Sequence, residues 1–333
     1  MRTERSSSSA NLRCWCGCRE LEVFGESHRQ CSSCGTLVST EMERAAIYAE
    51  VGDDESGFYG EQYWSTHVPV TQGFPTLKER ARSDLTERAI DWMCRILELR
   101  EPPADILELG CAHARLVMLL CRAGFDAEGL EMSPSVVRQA RELSHVPVYL
   151  GPLDPNAVRP IYDIIAAMDV VEHLAQPVET LRNCHALLPD DGLLVLQTPC
   201  HRGEDDTWEM LIPEHLFLFS DDGVRRLLDR AGFAEITIGS AFFPYDMWVV
   251  ASPRGPIPRR KDPYSGLDPL LTALIDGLTA RNRIQRDLDW SEKVRRELEE
   301  RLGVVESTAK ATADDPSPPG MQGRPQKKEE RCR

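Results

Sequence analysis

Five cysteines between residues 14 and 34 form the densest group of potential metal ligands in the chain. Cys31 and Cys34 are separated by two residues and followed by Gly35, as in a zinc knuckle. Cys14 and Cys16 lie about fifteen residues upstream, which gives the two pairs the spacing of a zinc ribbon. We therefore predict a structural zinc site, since four thiolates complete a tetrahedral shell and leave no position for substrate. The expected ligands are Cys14, Cys16, Cys31 and Cys34.

Cys18 leaves an alternative within the first cysteine pair, because it could replace Cys14 or Cys16 as a ligand. Unligated thiols and a redox-active pair are the other interpretations of the same cysteines. Zinc is favoured because five close cysteines in a reducing cytosol otherwise have no evident role.

Acidic residues close three apolar, strand-length runs in the central part of the chain. Glu108 lies in ADILELG, Glu131 in DAEGLEM and Asp169 in YDIIAAMDV. Ligands of open α/β sheets bind at the carboxyl ends of the strands. Glu131 occupies the position from which a carboxylate can accept hydrogen bonds from both ribose hydroxyls. An adenosine-containing ligand is therefore expected at this edge.

The turn after the first of these runs distinguishes between cofactors. Gly110 is followed by CAHAR, so Ala112 and Ala114 stand where glycines would let the backbone approach a pyrophosphate. A dinucleotide is a poor match to this turn. A cofactor that contains adenosine but no phosphate fits better.

These residues require a sheet to position them. Apolar strand-length runs alternate with helical patterns, which predicts an α/β fold with a Rossmann-like, seven-stranded, mostly parallel sheet and helices on both faces. Ser133-Pro134 and Gln176-Pro177 are expected to begin two of the helices. The last two runs, AEITIGSAFF and YDMWVVASP, follow each other without a helix and should form a hairpin that adds one antiparallel edge.

The composition divides the chain into segments. We expect a disordered start over 1–10, a zinc ribbon over 11–45, a connector or lid over 46–84, the sheet domain over 85–252, a C-terminal helical segment over 253–303 and a disordered tail over 304–333. In the connector, Tyr63, Trp64 and His67 could close the cleft as an aromatic lid, although such aromatic residues are more often core.

Four segments resemble successive motifs of class I S-adenosylmethionine-dependent methyltransferases of the ubiquinone O-methyltransferase-like type. They are ILELGCAHA, GLEMSP, YDIIAAMDVVEHLAQPVETLRNCHALLPDDGLLVLQTP and EHLFLFSDDGVRRLLDRAGF, and they fall in the expected order within residues 85–252. The resemblance implies a Rossmann-like methyltransferase domain with S-adenosylmethionine as its cofactor.

The resemblance also implies where the methionine part of that cofactor would bind. Glu108 and Gly110 would flank it, with Ala112 in the turn beside them, and Asp169 would face its amino group. Many relatives have glycine at the positions of Ala112 or Ala114. Helix capping or a surface ion pair is the alternative role of Glu108 and Asp169.

The adenosine part would bind further along the same edge. The resemblance implies that Glu131 holds the ribose, that Met132 lies beside the adenine, and that Leu153 and Asp154 belong to the loop that reaches the adenine edge.

Methyl transfer to a hydroxyl requires alignment and one base. His173 is the candidate base, because imidazole titrates near neutral pH and VVEHL follows the fourth strand. Glu172 could orient His173 or bind substrate, and His215 could contact substrate. The alternatives are that Glu172 and His173 cap a turn and that His215 stabilises its loop.

The order of zinc ribbon, connector and core over residues 12–252 resembles methyltransferases of bacterial surface-polysaccharide and deoxysugar gene clusters, including sugar C-methyltransferases. We expect O-methylation of a sugar, nucleotide-sugar or glycan. C-methylation of a ketosugar and methylation of another small metabolite are the enzymatic alternatives. A degenerate methyltransferase fold that acts as a binding partner is the non-enzymatic one.

The net charge of −15 disfavours nucleic acid as the main partner. No apolar run approaches the roughly 20 residues of a membrane span, and we expect a cytoplasmic protein. An amphipathic helix near residues 268–303 could mediate self-association or contact with a glycosyltransferase, or pack on its own domain.

Overall fold

The computed structural model describes residues 12–44, 58–71, 75–84, 88–202, 211–212 and 214–260, and beyond them residues 271–281 and isolated positions. The labelled elements all belong to the compact unit that ends at Thr279. The segments expected to be disordered, 1–10 and 304–333, lie outside the described residues. No helix among the described residues is long and apolar enough to cross a bilayer.

The N-terminal cysteine-rich segment forms a small antiparallel sheet. Its strands are β1 (Leu21–Phe24), β2 (His28–Cys31) and β3 (Leu37–Ser39). A 3₁₀ turn over Thr40–Arg44 follows, and the described part of the connector contains a π-helical stretch over Tyr63–Thr71. Helices α1 (Leu77–Asp84) and α2 (Ile90–Leu97) lead into the central sheet.

The remaining strands are β4 (Asp105–Leu109), β5 (Asp126–Glu131), β6 (Val148–Leu150), β7 (Ile164–Met168), β8 (Leu193–Pro199), β9 (Phe217–Leu218), β10 (Glu235–Ser240) and β11 (Asp246–Ser252). Seven of them form the central sheet in the order β10-β11-β8-β7-β4-β5-β6. The pairs among β8, β7, β4, β5 and β6 are parallel. The predicted seven-stranded, mostly parallel sheet is therefore confirmed.

The helices that cover the sheet are α3 (Arg115–Arg122), α4 (Pro134–Ser144), α5 (Pro177–Ala186) and α6 (Asp221–Ala231). Successive residues of a strand point to opposite faces, and within β7 Ile165 packs with α5 and α6 whereas Ile164 packs with α2, α3 and α4. Both predicted helix starts are confirmed. Pro134 and Pro177 are first helical residues, and the Ser133 hydroxyl accepts a hydrogen bond from the Val136 amide.

The hairpin at the end of the sheet forms, but its antiparallel strand is not at the edge. β11 pairs antiparallel with β8 on one side and with β10 on the other, so the edge strand β10 runs parallel to the rest. The expectation of an antiparallel edge was wrong on this point. Every residue of β11 is buried, whereas β10 is largely exposed, so the apolar strand takes the inner position.

The C-terminal segment is helical over residues 271–281. Leu271, Ile275 and Leu278 recur at helical spacing and pack with the core on the α2, α3 and α4 side of the sheet. This part of the predicted amphipathic helix therefore packs on its own domain. Self-association, or contact with a glycosyltransferase, through residues beyond it stays a prediction.

The small sheet is joined to the central domain by a strand that the sequence did not suggest. β3 pairs antiparallel with β9, which lies between β8 and α6 in the chain. Cys14, Cys31 and Cys34 share one hydrophobic cluster with the α5 and α6 face of the central sheet. The cysteine-rich segment is therefore packed as part of the core on that face.

Helix α6 begins against the cysteine-rich segment. The Ser220 hydroxyl accepts a hydrogen bond from the Gly223 amide at 3.0 Å and donates one to the Cys34 carbonyl at 3.0 Å. A Cβ atom at Gly223 would lie 2.7 Å from Thr36 Oγ1 and 3.3 Å from the Cys34 carbonyl oxygen. The absence of a side chain at Gly223 thus permits this close approach.

We predict that Gly223→Ala lowers the free energy of unfolding by about 1 to 2 kcal/mol, because overpacking outweighs the gain in helix propensity. Gly277→Ala is the matched control, since Gly277 is also helical and a Cβ atom there meets nothing within 4 Å. It should raise the same free energy by about 0.5 to 1 kcal/mol. Urea unfolding measures both, and equal stabilisation by the two changes would contradict the proposed packing.

Candidate functional site

Two adjoining cavities lie at the carboxyl ends of the parallel strands. The first, here the Glu131 cavity, has a volume of about 220 Å³ and is lined by Glu131, Met132 and Leu153 among others. The second, here the Glu172 cavity, has a volume of about 370 Å³ and includes Glu172 and His215. Both cavities are lined by Tyr63, Trp64, Gly110, Ala112, Asp169 and His173. The shared lining makes them two halves of one cleft.

Glu131 ends β5 with its carboxylate held by backbone amides. One oxygen accepts hydrogen bonds from Met132 N at 2.8 Å and Ser133 N at 2.9 Å, and the other from Ala112 N at 3.0 Å. Burial raises the pKa of Glu131 and the three amides oppose that rise. A carboxylate has about four acceptor positions, so about one remains for a ligand hydroxyl. The sequence predicted that the Glu131 carboxylate would bind both ribose hydroxyls, whereas the three amides leave about one acceptor position.

The turn after β4 follows a backbone path that usually requires glycine. Gly110 has a φ of 62°, and Ala112 and Ala114 have φ values of 44° and 54°. An L residue in this left-handed region costs about 1 to 2 kcal/mol. The two alanines therefore preserve the conformation of a glycine-rich turn at an energetic cost. A Cβ atom at Gly110 would lie 2.6 Å from Val170 Cγ2.

The two residues expected at the adenine edge differ in position. Leu153 lines the Glu131 cavity together with Met132. Asp154 is exposed and outside that lining, and its carboxylate accepts hydrogen bonds from Asn156 N at 2.9 Å and Asn156 Nδ2 at 3.1 Å. Asp154 thus stabilises the loop as an Asx turn.

Asp169 follows β7 with a φ of 55° and faces both cavities. Its carboxylate pairs with Arg88 Nη2 at 2.6 Å and accepts a hydrogen bond from Gln197 Nε2 at 3.1 Å. The same guanidinium lies 3.4 Å from Asp246 Oδ2. Arg88 is a site residue that the sequence analysis missed, because nothing in its local pattern distinguishes it from a surface arginine of a helix.

Asp246 and Glu108 are buried carboxyl groups in the Glu172 cavity. Burial and the charge of Asp169 raise the pKa of Asp246 to about 7. Burial, with a contribution from the charge of Glu131, raises the pKa of Glu108 to about 8. Within the described part of the chain, Glu108 Oε2 has no hydrogen-bond partner. A hydrogen bond from the Val117 amide in the first turn of α3 opposes the rise, so Glu108 also contacts the start of that helix. Its Oε2 could accept a hydrogen bond from a ligand.

His173 lies in the 3₁₀ turn Val171–His173 with one ring nitrogen fixed. Its Nδ1 is 2.8 Å from the Glu214 carbonyl oxygen. A carbonyl can only accept, so Nδ1 carries the hydrogen and Nε2 keeps its lone pair. Burial lowers the pKa of His173, which favours the neutral ring. The Glu214 carbonyl, rather than Glu172, orients this imidazole.

Glu172 and His215 adjoin His173. Ligand atoms of the three side chains all lie within 4.8 Å of one another, and the rings of His173 and His215 meet edge to face at 5.0 Å. Glu172 Oε2 accepts a hydrogen bond from Thr198 Oγ1 at 2.9 Å, while Oε1 has no hydrogen-bond partner among the described residues. Burial and the charge of Asp169 raise the pKa of Glu172. An acceptor and a base thus share one cavity.

The π-helical stretch Tyr63–Thr71 is here called the lid. Tyr63 and Trp64 line both cavities, and the lid residue His67 contacts the Glu214 carboxylate through Nε2. Glu214 was not singled out as a site residue from the sequence. The sequence analysis gave a role only to the neighbouring His215, as a possible contact to substrate.

The cysteines expected to bind zinc converge in space. Cys14 and Cys34 sulfurs are 3.6 Å apart, as are those of Cys16 and Cys31, and all four lie within 4.8 Å of one another. Zinc–sulfur bonds of about 2.3 Å place tetrahedral sulfurs about 3.8 Å apart, so the group fits zinc. Cys18 lies outside the group, with its sulfur 3.7 Å from Ser32 Oγ.

Known proteins match the central part of the chain. Residues 81–238 match the family model of a methyltransferase domain. The ubiquinone biosynthesis O-methyltransferase of Caulobacter sp. (strain K31) is 30% identical over 101 residues, which are 28% of this chain and 40% of that protein. Its counterpart in Bradyrhizobium diazoefficiens is 25% identical over 169 residues, 44% of this chain and 66% of that protein. The chain thus spans less than two thirds of the length of these relatives.

Among solved structures, the magnesium protoporphyrin IX methyltransferase of Synechocystis, determined with bound SAH, is 17% identical with a TM-score of 0.42. The match covers 59% of this chain and 97% of that one.

We predict that Gly110→Ala weakens binding of S-adenosylmethionine at least about 10-fold and lowers the free energy of unfolding by about 1 to 3 kcal/mol. The physical reasons are the left-handed backbone and the contact with Val170. Isothermal titration calorimetry and urea unfolding measure the two effects. Gly239→Ala is the control, because a Cβ atom there meets nothing within 4 Å. Wild-type affinity in Gly110→Ala would contradict a cofactor that binds against this turn.

Proposed function

The central domain belongs to the class I S-adenosylmethionine-dependent methyltransferases, and on that premise we propose that the chain transfers a methyl group to a hydroxyl of a sugar, nucleotide-sugar or glycan. The observation that carries the proposal is the hydrogen bond between His173 Nδ1 and the Glu214 carbonyl oxygen, at 2.8 Å. It leaves Nε2 of a neutral imidazole as a proton acceptor in the cleft.

Residues along the cleft fit the parts of S-adenosylmethionine. Glu131 retains acceptor capacity for a ribose hydroxyl, with Met132 and Leu153 as apolar neighbours for the adenine. The methionine ammonium and carboxylate require an anion and a cation. Asp169, which lines both cavities, and Arg88, which lines the Glu172 cavity, supply them. The unpartnered Oε2 of Glu108 is a further acceptor among the described residues.

The bound cofactor supplies an electrophilic methyl group on a sulfonium. The residues of the Glu172 cavity then have two tasks, which are to align an acceptor hydroxyl for in-line attack and to remove its proton. His173 Nε2 accepts that proton, and Glu172 Oε1 can accept a hydrogen bond from a second acceptor hydroxyl. Tyr63 and Trp64, which line both cavities, exclude water from the cleft.

A polyhydroxylated acceptor suits the lining of the Glu172 cavity. Phe243 and Tyr245 stack at 5.2 Å and offer an apolar wall for the carbon face of a ring. Buried carboxyl groups at Glu172 and Asp246 offer acceptors for neighbouring hydroxyls. Apolar walls with a few convergent polar groups are typical of small-molecule sites. This mixture supports a sugar more than a purely apolar ring.

We also propose that Cys14, Cys16, Cys31 and Cys34 bind one structural zinc ion. Three of the four are buried in the cluster that packs against the α5 and α6 face of the sheet. Four thiolate ligands leave no open position, so the metal would stabilise β1 to β3 and take no part in methyl transfer.

We predict that His173→Asn lowers kcat by about 100- to 10,000-fold, because a general base contributes in that range. The asparagine amide can still donate to the Glu214 carbonyl, so affinity for S-adenosylmethionine should change less than about 3-fold. In the wild type, the lowered pKa of His173 means that protonation of this base reduces kcat only on acidification below the usual histidine value of about 6.5. Initial rates on a panel of sugar nucleotides and glycans measure these effects.

The exposed His145, which has a φ of 54°, provides the matched control His145→Asn. It should leave kcat and the pH profile unchanged. Full activity of His173→Asn would contradict the assignment of the base. A product methylated at carbon rather than oxygen would contradict O-methylation and favour the C-methyltransferase alternative.

We predict that Cys16→Ser lowers zinc content well below one ion per chain and decreases thermal stability. Cys18→Ser is the matched control, because its sulfur lies outside the four-cysteine group, and it should retain full zinc. Elemental analysis of the purified proteins measures the metal. Equal loss from both variants would show that Cys18 is a ligand, and a metal-free wild type would overturn the zinc proposal.

A further inference from the structure

Glu214 contacts the lid and the candidate base through two different groups. Its carboxylate oxygen Oε1 pairs with His67 Nε2 of the lid. Its backbone carbonyl accepts a hydrogen bond from His173 Nδ1 at 2.8 Å. Residues 67 and 173 are far apart in sequence, yet one residue connects them in space. A displacement of Glu214 would therefore affect both.

The lid residue His67 is held on its other side by aromatic contacts. Its ring stacks on Tyr63 with centroids 5.5 Å apart, and Phe58 meets it at 6.4 Å. Tyr63 and Trp64, which lie within about one turn of His67 in the same helical stretch, line both cavities. His67 thus packs against Tyr63, one of the aromatic side chains that line the cleft.

The Glu214 carboxylate is buried, and His67 is its partner from the lid. Its side chain is 3% exposed, whereas that of His67 is 36% exposed. Within the described residues, the second carboxylate oxygen of Glu214 has no hydrogen-bond partner. A buried carboxylate without a partner is unfavourable, because burial removes the hydration of the charge. Opening of the lid would remove the His67 partner from Glu214, so this contact favours the closed arrangement.

We propose that His67 and Glu214 are positioning residues that couple closure of the lid to alignment of the base. This inference rests on the proposed function, because it assigns a purpose to the fixed tautomer of His173. With the lid closed, His67 holds the Glu214 side chain, and the Glu214 carbonyl fixes the hydrogen on Nδ1 of His173. With the lid open, the turn loses this contact, and Nε2 of His173 is no longer held as the proton acceptor.

The coupling has a consequence for the order of events. S-adenosylmethionine must enter while Tyr63 and Trp64 are away from the cleft, and the base becomes aligned only after they return. The acceptor hydroxyl is then deprotonated only in a closed site from which water is excluded. The lid and the base would act as one unit rather than as two independent features.

The test compares His67→Leu with His67→Gln. Leucine keeps apolar bulk against Tyr63 but cannot bond to Glu214, whereas the glutamine amide can replace Nε2–H. Ser65→Ala, at an exposed position of the lid, is the control. Hydrogen exchange of residues 63–71 reports lid opening without any substrate. We expect exchange at least about 10-fold faster in His67→Leu, the range of a hydrogen bond to a charged group, and wild-type exchange in the other two.

The second readout is the tautomer of His173, measured by ¹⁵N NMR. The wild type and His67→Gln should show hydrogen on Nδ1, and His67→Leu should show a mixture of tautomers with kcat reduced about 10-fold. A purely structural lid would alter exchange but leave the tautomer unchanged, and that result would overturn the coupling. Unchanged exchange in His67→Leu would overturn it as well.

Failure of the proposed function has a different signature. If the wild type binds no S-adenosylmethionine and methylates nothing, the methyltransferase proposal fails. The exchange and tautomer measurements on the same samples would still decide whether His67 and Glu214 connect the lid to His173.

Discussion

The structure depends on the hydrogen bonds and ion pairs that compensate a group of carboxyl side chains at the carboxyl ends of the parallel strands. Glu131 is held by three backbone amides, and Asp169 and Asp246 share the guanidinium of Arg88. Glu172 has a single hydroxyl partner on one oxygen. Burial of uncompensated carboxylates is costly, and the raised pKa of Asp246 reflects that cost. Because so many carboxyl groups lie at this edge of the sheet, the site is suited to a positively charged ligand, such as one with a sulfonium and an ammonium group.

The same constraint explains elements outside the sheet. Gln197 donates to Asp169 and Asp246 and accepts a hydrogen bond from Trp92 of α2 at 2.9 Å, so the acidic edge also fixes the helix that follows Arg88. The lid provides a partner for one oxygen of the Glu214 carboxylate through His67. The cysteine-rich sheet contributes by pairing with β9, which follows the Glu214 turn along the chain. Segments distant in sequence are thus held together because each supplies a partner to a buried polar group.

Local patterns predicted the central sheet, both proline-initiated helices and the four-cysteine group, since each depends on residues close together in sequence. They did not reveal Arg88 or a role for Glu214, because these roles arise from contacts with distant residues next to β7, in β11 and in the lid. The pairing of β3 with β9 was missed for the same reason, because it joins residues that are far apart in sequence. Asp154 was expected at the adenine edge, but Asn156 lies close enough to engage its carboxylate in a local turn. The inner position of β11 likewise depended on burial and not on chain order.

The central claim is that the Glu131 cavity binds S-adenosylmethionine, and calorimetric titration of the folded, zinc-replete protein tests it most directly. Glu131→Ala removes the proposed ribose contact, and Asp154→Ala is the matched change at an exposed carboxylate on the neighbouring loop. The account predicts saturable binding by the wild type and Asp154→Ala, with affinity reduced at least about 10-fold in Glu131→Ala. Absence of binding by the wild type would contradict it and favour a degenerate methyltransferase fold that serves as a binding partner.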